Sequence, residues 1–180
     1  MTDIAAAQAT QITTFASTRS GQTVGTGECF DLADQALRAA GAKSAADFGT
    51  VTPTANYVWG RAVTLATLQA GDIIQFSHYS YTVTTTTTVT NADGSSSTDT
   101  QVDTQSRPHH TAMVLSVGAN GAVTVWEQNV AGVRSVMQNQ LFFTTHADPP
   151  QVTTSGGSTT TVNRSVQVSG TRRYYRPQQR

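Results

Sequence analysis

The stretch Gly25-Thr26-Gly27-Glu28-Cys29-Phe30-Asp31-Leu32-Ala33-Asp34-Gln35-Ala36-Leu37-Arg38-Ala39-Ala40-Gly41 decides how this chain is read. From Glu28 to Ala40 the apolar residues Phe30, Leu32, Ala33, Ala36, Leu37 and Ala40 recur at helical spacing, and Gly41 stands where a helix stops. The spacing predicts a helix whose first turn holds Cys29, the single cysteine of the chain. One cysteine cannot form an intrachain disulfide, so the thiol is a buried structural group, a metal ligand or a nucleophile. A helix N-terminus favours the thiolate, because its free N–H groups and aligned peptide dipoles stabilise negative charge. The same N–H groups are suited to hold the oxyanion of a tetrahedral intermediate.

Working outward, the alanine-rich residues 3–17, marked by Ile4, Ile12 and Phe15, read as a short peripheral helix, and Ser20 to Gly27 as a glycine-punctuated loop. Gln22 lies in that loop ahead of the cysteine and reads as a solvent-facing amide. Beyond the helix, residues 42–70 hold short turns or helices around Tyr57, Trp59 and Leu65 before Gly71-Asp72 leads into the strand Ile73-Ile74-Gln75-Phe76. Thr-Val alternation from Tyr79 to Gln105, turning at Asn91-Ala92-Asp93-Gly94, predicts a long two-stranded hairpin inserted into the fold. Strands follow over His110–Val117 and Ala122–Gln128, joined at Ala119-Asn120-Gly121, with another over Val133–Gln138. Residues 151–170 repeat the threonine-rich style, and Arg172–Arg176 reads as a final strand.

The chain has 180 residues, of which 37% are hydrophobic and 12% charged, so it is neither a charge-rich disordered tail nor a membrane-embedded protein. Lys plus Arg and Asp plus Glu are 11 each, which leaves no overall field to draw it to nucleic acid or an anionic membrane. Cys29, His78, His109, His110 and His146 show no compact metal-ligand spacing, so no metal or other cofactor is expected. The start, Met1-Thr2-Asp3-Ile4-Ala5, has no basic leader, and no run is long enough to span a membrane; export without a secretory signal is the expectation.

His110 opens the apolar run Thr111-Ala112-Met113-Val114-Leu115, where a neutral imidazole can take a thiol proton and later protonate a leaving amine. His109 is the alternative base, because adjacent strand residues point to opposite faces. In Trp126-Glu127-Gln128-Asn129 the strand period of two places Glu127 and Asn129 on one face and Gln128 on the other, giving two candidates to orient the histidine.

Four segments carry a resemblance: Gly25-Thr26-Gly27-Glu28-Cys29-Phe30-Asp31-Leu32, Leu68-Gln69-Ala70-Gly71-Asp72-Ile73-Ile74-Gln75-Phe76, His110-Thr111-Ala112-Met113-Val114 and Val125-Trp126-Glu127-Gln128-Asn129. In order and spacing they resemble the CHAP domain (cysteine, histidine-dependent amidohydrolase/peptidase), of the papain-like clan of bacterial cell-wall peptidases. The resemblance spans about residues 20–140. It implies Cys29 as nucleophile, His110 as base, Glu127 polarising the histidine and Asn129 assisting. Cysteine before histidine also looks like the ordinary chain order, rather than that of the permuted lipid acyltransferases.

The expected fold is therefore α+β and papain-like, with N-terminal helices packed on an antiparallel β-sheet. Residues 1–180 form one catalytic domain with hairpin insertions at about 79–106 and 151–170. The expected activity is hydrolysis of a peptidoglycan amide through a thioester acyl-enzyme, in an antibacterial effector or phage-type lysin; an effector would imply a cognate inhibitor protein. Two other readings stand beside it: a deamidase or transglutaminase-like toxin that turns the same residues on a protein side-chain amide, or a threonine-rich β binding module in which Cys29 is merely core.

Overall fold

A computed structural model describes all 180 residues. Helix α1 spans Ala6–Ser17 and α2 spans Cys29–Ala39. The strands are β1 (Arg61–Val63), β2 (Ile73–Thr90), β3 (Ser96–Val117), β4 (Ala122–Glu127), β5 (Met137–Phe142), β6 (His146–Ala147), β7 (Gln151–Ser155) and β8 (Ser158–Arg176). They form one eight-stranded antiparallel sheet in the order β1-β8-β2-β3-β4-β5, with β6 and β7 also paired to β8.

This architecture corrects the expected α+β fold of N-terminal helices on a sheet with two inserted hairpins. The molecule is predominantly antiparallel β, with only two helices of 12 and 11 residues. The expected separate strands, one ending at Gln105 and another starting at His110, and one over Arg172–Arg176 after the segment 151–170, are continuous: β3 runs unbroken from the threonine-rich segment through His110, and β8 runs unbroken to Arg176. The two expected hairpins, β2–β3 and β7–β8, are not separate insertions but lie side by side in one sheet. Strand β2 pairs with β3 on one side, ending at Thr90↔Ser96, and with β8 on the other, ending at Thr90↔Thr159. The two threonine-rich segments thus share β2 in a single projecting ribbon. A two-stranded ribbon alone is marginal in water, and a third strand of like β-branched composition completes the pairing of the middle one. Threonine hydroxyls pair across it at Thr82–Thr104 (3.0 Å) and Thr88–Thr98 (3.1 Å). The expected strand over Val133–Gln138 is also displaced, to Met137–Phe142.

An irregularity separates the ribbon from the sheet's core. The β2/β8 register shifts between Ser77 and Ser80, and His78 takes a positive φ of 52°. Gly170 opposes it at φ +78°, where a Cβ would lie 2.0 Å from the His78 carbonyl oxygen, so no other residue fits without displacement.

Strand alternation sends apolar side chains to both faces of the core. Ile73, Met113, Trp126 and Tyr175 are buried in one cluster with Ile12, Leu32, Leu37 and Trp59, whereas Ile74, Val114, Val125 and Leu141 belong to a second with Phe76 and Phe143. Helix α2 lacks a side-chain cap at Glu28. Its anchoring comes from burying Leu32 and Leu37, each worth about 1.5–3 kcal/mol of transfer free energy.

Candidate active site

Helix α2 begins at Cys29 after the extended residue Glu28, so the thiol sits in the first turn where N–H groups have no intrahelical acceptor. Gln128, fully buried, holds the preceding loop against the end of β4. Its Oε1 accepts from the Val24 amide (2.8 Å), and its Nε2 donates to the carbonyls of Val24 (3.0 Å) and Glu28 (2.8 Å). Asp31 ties the loop from the helix side, its Oδ2 accepting from the Thr26 amide at 2.7 Å and the Thr26 hydroxyl at 2.6 Å. At Gly25, φ +61°, a Cβ would sit 2.7 Å from that carboxylate, so the turn needs glycine.

His110, on β3 and 4% exposed, faces the thiol from the sheet. Its Nε2 lies 2.9 Å from Glu127 Oε2, and the imidazole shares the cleft with the Cys29 thiol, each shifting the other's titration. Glu127 ends β4 and is fully buried with every carboxylate oxygen used. Oε2 also accepts from Arg107 Nε at 2.9 Å, while Oε1 accepts from Arg107 NH2 at 2.5 Å and from Asn139 Nδ2 at 2.7 Å.

This chain of contacts shifts all three titrating groups. Burial pushes the Cys29 thiol up, but the hydrogen bond and charge of His110, with the backbone N–H groups of Thr111 and Phe30, bring it below its ordinary range. Burial likewise disfavours the charged imidazole, yet Cys29 and Glu127 together raise His110 to about 9. For Glu127, burial is outweighed by Arg107 and His110, which hold the carboxyl down at about 2. The thiol and imidazole thus favour a thiolate–imidazolium pair, backed by an ionised carboxylate.

The other sequence candidates take different places. His109 turns away from Glu127: its Nε2 contacts the Ala55 carbonyl at 2.7 Å and its ring packs edge-on to Tyr57. Asn129 lies in the cleft, but its Nδ2 donates to Glu28 Oε2 at 2.7 Å, so the hydrogen-bonding partner of His110 is Glu127 and not Asn129. The period of two fails there because β4 stops at Glu127 and Asn129 adopts a left-handed φ of 63°. Gln22 is exposed and is not among the residues lining the cleft. The cleft itself, about 690 Å³, is lined by Cys29, His110, Phe30, Pro53, Tyr57 and His109, among others. No group of three or more His, Cys, Asp or Glu is placed to hold a metal ion.

Arg107, Asn139 and Gln128 escaped the sequence reading. Arg107 and His110 are three residues apart, so unbroken strand alternation sends them to opposite faces. The irregularity at His78 changes this: Phe76 pairs with His110 and Tyr79 with Arg107, and the Phe76 and Tyr79 rings stack at 4.8 Å on one face. Nothing local in the sequence signals that flip.

A thiol at a helix N-terminus, facing an imidazole and carboxylate on adjacent antiparallel strands, defines a papain-like cysteine proteinase fold. The chain belongs to the AIM3/BBC1 cysteine proteinase-fold domain family, whose model matches residues 1–144. That range includes Cys29, Arg107, His110, Glu127 and Asn139, while β6, β7 and β8 lie beyond it. No curated protein and no solved structure matches the chain.

Proposed function

We propose that this protein is a cysteine hydrolase in which Cys29 is the nucleophile, His110 the acid–base group and Glu127 the residue that orients and charges the imidazole. The observation that carries the reading is the continuous line Cys29–His110–Glu127 at a cleft, with the thiol held below and the imidazole above their ordinary pKa ranges. The Cys29 thiolate attacks an amide carbonyl, and the first-turn N–H groups of α2 hold the resulting oxyanion. The His110 imidazolium gives its proton to the departing nitrogen as the C–N bond breaks, leaving a thioester. Neutral His110 then removes a proton from water, whose oxygen attacks the thioester, and the carboxylic acid product leaves as the thiolate is restored. Asn129, held by Glu28 at the cleft wall, is placed to meet substrate rather than the imidazole.

For the substrate we infer a peptidoglycan amide, cleaved as an amidase or endopeptidase. Four segments support this through their resemblance to the CHAP domain. An effector or lysin acting on the cell wall, countered by a cognate inhibitor in the effector case, is the setting that accompanies the substrate proposal.

Purified protein and Cys29→Ala are incubated with peptidoglycan sacculi and the soluble products weighed by mass spectrometry. Fragments from the wild type alone, with at least ~10³-fold less from the variant, are expected and identify the bond. No fragments from either, with a Cys29 that alkylates rapidly at neutral pH, redirects the same machinery to a protein side-chain amide. No fragments and a slow thiol overturn the hydrolase reading.

A further inference from the structure

We propose that Arg107 is a positioning residue that balances the buried charge of the site, and so sets how much of Cys29 is thiolate at neutral pH. The inference rests on the hydrolase reading above and adds a fourth member to it. Arg107 is 3% exposed, and its guanidinium grips Glu127 through two nitrogens while NH1 donates to the Ser106 carbonyl at 2.8 Å. Glu127 Oε2 is shared between Arg107 and His110, so guanidinium, carboxylate, imidazole and thiol form one connected row.

The charges in that row alternate. Thiolate, imidazolium, carboxylate and guanidinium sum to zero, and a buried group of zero net charge avoids the desolvation cost of an unbalanced ion. Without the guanidinium the same row carries a net negative charge, and the least costly remedy is to bind a proton. Loss of Arg107 therefore raises the proton affinity of every titrating member, Cys29 and His110 alike.

Other groups facing the row do not take over this task. On β2, Tyr79 and Tyr81 are pushed by burial further above their ordinary range, so both stay neutral; their hydroxyls donate to the carbonyls of Phe142 and Gln140. Burial likewise raises Tyr57, which donates to the Thr52 carbonyl. Beside Cys29 on the α2 side, Glu28 is paired with the exposed Arg134, and Asp31 is bound to Thr26. His109 on β3 is held by the Ala55 carbonyl. Asp103, further along β3, is exposed. Arg107 is the buried permanent cation of the site.

The thiolate is read directly, without a substrate, from the pH dependence of Cys29 alkylation by iodoacetamide, so a failed activity assay does not blur the outcome. In Arg107→Gln the alkylation midpoint is expected to rise by about one pH unit, a tenfold loss of thiolate at pH below both midpoints. Arg107→Lys, which keeps the charge and loses the fork, is expected to retain the wild-type midpoint. Where a peptidoglycan fragment assay is active, both limbs of its pH profile move up together in R107Q. A midpoint that is unchanged in R107Q, or equally displaced in R107K, overturns the charge-balancing role in favour of packing alone. If R107Q fails to fold, R107Q/E127Q, which buries no net charge in this pair, is expected to fold; failure of that double variant also overturns the proposal.

Discussion

At the scale of single residues, Glu127 is where burial and charge compete most sharply. A carboxyl with no solvent exposure would ordinarily take up a proton, and only its four hydrogen bonds from Arg107, Asn139 and His110 keep it ionised. Together with Cys29, the ionised carboxylate raises His110 to about 9. Because the folded His110 titrates above its ordinary value of 6.5, its contribution to stability is complete below that pH and disappears as pH rises through about 9. Glu127 behaves oppositely: its contribution is complete above its ordinary 4.5 and disappears as pH falls through about 2. Glu127→Gln removes the counter-charge of the imidazolium. The alkaline limb of the pH–rate profile is expected to fall from about 9 toward the unperturbed histidine value, with kcat reduced about 10²–10⁴-fold. A profile whose alkaline limb stays near 9 in E127Q would show that the carboxylate does not govern the imidazole.

At the scale of elements, the irregularity in β2 at His78 links the ribbon to the site. It carries Tyr79 onto the same face as Phe76 and, through the β2/β3 register, brings Arg107 beside His110. Gly170 permits it by leaving room for the His78 carbonyl. Gly170→Ala is expected to destabilise the protein by about 1–3 kcal/mol, since it adds both a steric clash and an unfavourable positive φ. Thermal melting measures that loss, and the Cys29 alkylation midpoint is expected to rise as Arg107 is displaced. A melt like that of the wild type would show that the bulge relaxes without cost. Helix α2 and its loop form the opposing element, fastened through Gln128, so the nucleophile and its base are fixed from separate directions.

At the scale of the whole molecule, the sheet has a buried region carrying the site and an extended ribbon that does not enter the core. Neither core cluster contains a buried residue between Tyr81 and Ala112, although Arg107 and His110 are buried polar residues at the site. Joining Thr85 to Gln101 and Gln151 to Val162 through Asn-Gly turns removes the outer ribbon while preserving register, because both residue pairs face each other in the sheet. This shortened protein is expected to melt near the wild type and to keep its Cys29 alkylation midpoint. A collapse of either would assign the ribbon a structural task. The ribbon lies partly within and partly beyond the matched family range of residues 1–144.

The sequence by itself determined the local features: helical apolar spacing set α2 with Cys29 in its first turn, and the Ile73–Phe76 and Ala122–Gln128 runs set strands, the latter ending one residue earlier at Glu127, because periodicity and turn chemistry act over a few residues. Cys29, His110, Glu127 and Asn129 were all named from the sequence as candidates; the structure joins His110 to Glu127 and leaves Asn129 in the cleft, because the strand period that set it beside Glu127 ends with β4. Only the tertiary structure decided that two threonine-rich segments share one central strand, making the fold predominantly β. Like alternating patterns specify strands without naming their partners. It alone also brought Arg107 and Asn139 to Glu127, since a bulge reverses the facing of side chains and a buried charge recruits its counter-charge from wherever the sheet places one.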